Sequence, residues 1–169
     1  MLRRLRENGP VVLVPLAWTF ATAAHLDLLA SRTVLIAHLV MDTLIAIFTV
    51  LSWREMTDGV LLVWRRVLVA GLGITLAGTA ALLATPPIGP LLSATVVGWM
   101  LVPAAGLVAT GRLVDRHPRA YTVGGALSGL GALAYVGGVS GAVAALTLAG
   151  LTLTNVGQTA GIVAAVYDY

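Results

Sequence analysis

Residues 10–53 read PVVLVPLAWTFATAAHLDLLA, then SR, then TVLIAHLVMDTLIAIFTVLSW. Two runs of 21 residues, apolar apart from a few threonines, histidines, aspartates and a serine, flank the dipeptide Ser31-Arg32. About 20 apolar residues, rising 1.5 Å each, cross the ~30 Å hydrocarbon core of a bilayer. The stretch therefore reads as two membrane helices, about 10–30 and 33–53, joined as a hairpin. The first run is too long for a removable signal peptide and lacks a small-residue cleavage site.

The same reading extends outward. After Arg54-Glu55-Met56-Thr57-Asp58-Gly59, a short apolar run ends in Trp64-Arg65-Arg66, an interfacial segment or an extended helix end with aromatic and arginine anchors. A third span, about 67–84, stops at Thr85-Pro86-Pro87-Ile88-Gly89-Pro90, because proline removes a backbone donor and clashes with the preceding turn. A fourth covers about 91–110. Residues 111–120 form a polar loop that includes His117, read as solvated, and two more spans follow at about 121–139 and 142–166. Gly137 to Gly141 must separate them, since 121–166 as one run is too long for a bilayer. The expected fold is an all-α integral membrane protein, a compact bundle of about six transmembrane helices forming a single domain over 1–169.

Composition agrees. The 169 residues are 59% hydrophobic and 10% charged, against about 25% charged in soluble domains, so no sizeable soluble domain accompanies the spans. Cysteine is absent, which excludes disulfides, thiolate metal sites and cysteine nucleophiles. All 10 basic residues are arginine, which leaves no amine for Schiff-base chemistry. No nucleophile-and-base, phosphate-cradling or zinc-protease pattern is present, so no enzyme activity is assigned.

Arginine placement orients the spans. Arg3, Arg4 and Arg6 precede the first, Arg54, Arg65 and Arg66 lie between the second and third, and Arg112, Arg116 and Arg119 lie between the fourth and fifth. An even span count puts all of these on one side and only Arg32 on the other. The positive-inside bias then makes both termini cytoplasmic and the expected location the cell membrane. The pI of about 10.0 is thereby topology and contact with anionic lipid, not nucleic-acid binding. The lipid bilayer is the expected partner, with a homo-oligomer or a larger membrane complex also open. Spacings of four between Gly125 and Gly129, and between Gly157 and Gly161, favour close helix approach, within or between chains.

Ionisable groups inside spans are expensive and mark functional candidates. Four occur, all in the first hairpin: His25, Asp27, His38 and Asp42. With a turn at Ser31-Arg32, both imidazoles lie about 8 Å below the outer end of their helices, at matched depth. Asp42 follows His38 by one turn on the same face, and Thr49 continues that stripe. Asp27 points elsewhere.

Three readings follow. The first is a site in which His25, His38 and Asp42 bind a transition metal, or His25 and His38 bind a b-type haem for electron transfer, with Arg32 placed to meet a propionate. The second is a proton or cation relay in a small transporter or channel subunit, its pathway including Asp27, Asn155 and Gln158 with Thr75 and Thr79. The third is interhelical glue in an accessory structural subunit. Level histidines lean toward ligation, because a relay needs groups staggered along the membrane normal.

The topology is tested by reporter fusions within residues 85–90 and at the C-terminus. The first should report outside and the second inside; an external C-terminus means five or seven spans.

Overall fold

The computed structural model describes residues 2–168, with side chains described for 11–167. Six helices follow in chain order: α1 (Leu2–His25), α2 (Ser31–Ser52), α3 (Gly59–Leu83), α4 (Gly89–Gly111), α5 (Pro118–Ser140) and α6 (Ala144–Asp168). There is no strand among the described residues. The five helices from α2 to α6 are long and apolar enough to cross a membrane, whereas the apolar stretch described for α1, Val11–His25, is shorter. The outer surface is lipid-like: Leu16, Leu39, Leu44, Val50, Leu76 and Leu133 are exposed while Thr75, Thr95, Ser128, Thr154 and Gln158 are buried. The chain is a helical membrane bundle.

Two connections differ from the sequence reading: the first, and the one before α6, which lies at 141–143 with residues 137–140 still inside α5. Of the two readings of the run 59–66, the extended helix end is the one found: it forms the first turns of α3. The first connection lies at residues 26–30, with Asp27 in the left-handed region at φ 56°, and Ser31 and Arg32 belong to α2. Aspartate tolerates that conformation because its short polar side chain bonds locally. Nothing in the local sequence outweighed Ser31-Arg32 as the obvious polar break.

In space the helices follow the order α1, α6, α5, α4, α3, α2, each packed on the next. Successive α2 to α6 are antiparallel neighbours, as short loops require, but α1 docks on α6 and barely meets α2. The first hairpin therefore does not close on itself. Arg54, Arg65, Arg66, Arg112, Arg116 and Arg119 gather at one end with the start of α1, which carries Arg3, Arg4 and Arg6. Here the Arg65 guanidinium lies 4.7 Å above the Trp53 ring, and the Trp64 indole donates to Thr110 Oγ1 at 3.2 Å.

The α5–α6 contact is the tightest, and its small residues recur every seven positions. Gly124, Gly131 and Gly138 on α5 meet Gly157, Thr154 and Thr147 on α6, and Gly150 faces Gly131 and Tyr135. A Cβ at Gly124 or Gly157 would strike the other's carbonyl oxygen. A seven-residue repeat keeps one stripe facing its partner along two slightly supercoiled helices. The four-residue spacings seen in sequence divide differently. Gly125 abuts Ala104 and Val108 of α4, Gly161 abuts Leu107 of α4, and Gly129 faces open space. The packing at Gly124, Gly125, Gly157 and Gly161 is within the chain.

Gly157→Ala should therefore destabilise the protein by about 1–3 kcal/mol through backbone overpacking, whereas Gly129→Ala should be neutral or stabilising by up to about 1 kcal/mol from helix propensity. Thermal unfolding of the two variants in detergent checks this, and equal effects would refute the assigned seam.

Candidate functional site

Three polar clusters lie within the bundle, and the chemistry of each follows from what its backbone leaves unsatisfied. The first is set by Pro103, inside α4. Proline has no N–H, so the carbonyl of Trp99, four residues earlier, loses its helical donor. In hydrocarbon that oxygen needs a protein partner. Gln158 of α6 supplies it: Nε2 donates to the Trp99 carbonyl at 2.9 Å and to Ser128 Oγ at 3.0 Å, while Oε1 accepts from Trp18 Nε1 at 2.9 Å. Ser128 in turn donates to the Met100 carbonyl at 2.8 Å. One carboxamide thus ties α1, α4, α5 and α6, with both its donors and its acceptor used. Gln158 reads as a structural clasp, in keeping with the expectation that amides of the last span bond across helices; its partners were not legible, because they required knowing that Pro103 and Gln158 share a level.

The second cluster lies at the end away from the arginines. His25, the last residue of α1, makes Nδ1···O contact with Ala21 at 2.8 Å and Nε2···O contact with the Tyr135 hydroxyl at 2.8 Å. A carbonyl oxygen only accepts, so Nδ1 is the protonated nitrogen and Nε2 accepts from the phenol. The rings meet edge-on, 5.4 Å between centroids. Both nitrogens of His25 are engaged, which leaves no free lone pair for a metal.

The third cluster is the α2–α3 seam. Asp42, Ile45, Thr49 and Ser52 form the buried stripe of α2, a three-and-four spacing that keeps one face toward its partner. Asp42 stands midway along α2 and is 9% exposed. Thr79 of α3 donates to its Oδ2 at 2.6 Å, while Oδ1 is buried with no partner, as is Thr49 Oγ1. His38, one turn from Asp42, directs Nδ1 to the Val34 carbonyl at 3.1 Å. Its Nε2 edge lies against Gly78, where the Thr95 methyl of α4 also packs. By the same tautomer reasoning Nε2 of neutral His38 is an open acceptor. A side chain at Gly78 would displace this imidazole, which explains a glycine there.

The structure thus separates residues that the sequence placed together. His25 ends α1, while His38 is seven residues into α2, about 10 Å along that helix from its start. The two meet different helix neighbours, His25 the Tyr135 hydroxyl of α5 and His38 the backbone at Gly78 of α3. Among the described residues no three His, Asp or Glu side chains gather as a metal-binding group. Asp27 and Arg32 are exposed at the loop end. Asn155, half-buried on α6, accepts from Thr159 at 3.1 Å, and Gln158 belongs to the clasp. His38 and Asp42 do share a face, and Asp42 is buried as expected, but its partner is the Thr79 hydroxyl of α3 and not an imidazole. Thr75 binds the Gly71 carbonyl and accepts from Trp99 Nε1 at 3.0 Å. The chain matches no family model, no curated protein and no solved structure.

Gln158→Leu should cost about 1–3 kcal/mol for each buried group left bare, the Trp99 carbonyl foremost. Thermal unfolding with tryptophan fluorescence measures both the loss and the altered Trp18 environment; an unchanged melt would remove Gln158 from its role as clasp.

Proposed function

We propose that this chain is a small transporter or channel subunit that binds a cation at Asp42, in the polar seam between α2 and α3. The observation that carries the reading is the half-partnered carboxylate: one oxygen held by Thr79, the other buried and bare, midway along a membrane helix. An isolated carboxylate in such surroundings is strongly disfavoured, so the bare oxygen calls for a positive partner. The seam also has the staggered arrangement that a pathway needs. His38, Asp42, Thr49 and Ser52 are spread over 15 residues of α2, about 21 Å along the helix axis.

The reading places the arginine end in the cytoplasm, with both ends of the chain there and the bundle in the cell membrane, following the charge bias of short loops. A transition metal or b-type haem bridging His25 and His38 is less favoured, because His25 has both nitrogens engaged and the two helices barely meet.

Proteoliposomes containing the purified chain should pass protons or alkali cations down an imposed gradient. Asp42→Asn, nearly isosteric, should reduce that flux by about tenfold or more, since it removes the charge that offsets cation desolvation, while leaving the helical content and elution volume unchanged. Full flux through folded Asp42→Asn protein would overturn the proposal.

A further inference from the structure

Which cation occupies Asp42 can be argued from the oxygen atoms within reach, and the inference rests on the reading of Asp42 as a cation site. Hard metal cations are held by six or more oxygens, typically including carbonyls and waters. Around Asp42 the seam supplies two carboxylate oxygens and the Thr79 hydroxyl, while Thr49 is seven residues away, about 10 Å along the axis. Backbone carbonyls do not make up the number. Neither α2 nor α3 contains a proline, so their interior carbonyls are committed to helical hydrogen bonds, and the carbonyl that Pro103 does release in α4 is capped by Gln158. A proton needs one oxygen only, and Asp42 Oδ1 is that oxygen.

The seam also shows how a proton would arrive. Of the elements packed here, α4 has no titratable side chain and α3 has only Arg65 and Arg66, at its arginine-rich end. His38 is therefore the one titratable neighbour of Asp42 in the seam. Its Nδ1–H is anchored on the Val34 carbonyl, which leaves Nε2 to take a proton from one side and release it toward the next turn. Toward the arginine end the following residue of the stripe is Ile45, 6% exposed, an apolar break before Thr49. The two sides of Asp42 are therefore chemically unlike: an imidazole leads in, and a hydrocarbon plug blocks the way out.

We propose that the cation bound at Asp42 is the proton, that His38 delivers it from the end away from the arginines, and that the arrangement described here is loaded from that end alone. The step is a transfer without redox change: the Nε2–H bond of imidazolium breaks as its proton passes to one bridging water, which gives a proton to Oδ1 of Asp42, and neutral His38 is restored.

Infrared difference spectroscopy of the full chain in lipid, titrated with pH and separately with sodium and potassium chloride, tests the binding step. Expected is a protonated-carboxyl band that grows as pH falls, disappears in Asp42→Asn and does not respond to either salt at fixed pH. Displacement of the band by sodium or potassium would overturn the proton assignment while leaving Asp42 a cation site. A titrating Asp42 band in protein that passes no ions would instead sink the transport reading and leave the proton site standing. Absence of any Asp42 band sinks the proton assignment.

His38→Gln and His38→Asn, which keep an amide near one or the other ring nitrogen, test delivery. Both should slow proton flux about 100-fold, the lower end of what a positioned proton-transfer group contributes, and alter its pH profile, with the Asp42 band retained. If the retained band shows that the seam is intact and flux keeps its wild-type rate and pH profile, His38 has no part in delivery. A seam broken in both variants, with the band lost, would assign His38 to packing and overturn its delivery role.

Discussion

The α5 and α6 backbones touch, and the positions of the other helices depend on that contact. With glycine or threonine at the meeting points Gly124, Gly131 and Gly138 of α5 and Thr147, Gly150, Thr154 and Gly157 of α6, the two helices approach to where carbonyl oxygens lie against opposing Cα atoms. Lipid offers no hydrophobic drive for helices to associate, so close van der Waals contact and weak Cα–H···O bonds hold them. This spacing brings Ser128 of α5 and Gln158 of α6 together over α4, and it seats Leu107 of α4 against Gly161.

From that pair the bundle grows by satisfying polar groups. Pro103 costs α4 a hydrogen bond, and the carbonyl it frees becomes the anchor that Gln158 grips while also holding the indole of Trp18. Four helices, α1, α4, α5 and α6, are thereby tied through one carboxamide. The remaining two stand outside it: α3 meets α4 through the Trp99 ring over Gly71 and the Trp99–Thr75 hydrogen bond, and α2 meets α3. The bundle thus has a clasped core and a peripheral pair, and the half-partnered carboxylate lies in the periphery. A group that must gain and lose a positive partner is better placed where packing is lightest, since local opening is cheapest there.

Much of this was legible in the amino-acid sequence, because a bilayer imposes its demands on single segments. Apolar length is a local property, so six helices could be read before their packing was known, and the prolines at 86 and 87 and the polar run 112–117 separated helices for reasons confined to a few residues. Asp42 stood out on the same ground, as a carboxylate too deep to be unpartnered, and the spacing of four to His38 is a property of one helix. The first connection was misplaced by a few residues because neither glycine nor proline marks it, and that small shift put His25 at the end of its helix.

What the sequence by itself determined was the class of protein, the number of helices and the groups that hydrocarbon makes expensive, since each depends on length, polarity and spacing along one chain segment. Only the tertiary structure decided which groups meet. It took His25 to Tyr135 and Asp42 to Thr79 instead of to one another, because α1 is drawn to α6 by contacts more than a hundred residues away in sequence, Trp18 to Gln158 among them. Such pairings depend on which small-residue faces fit closest, and fit between two helices is not encoded in the periodicity of either.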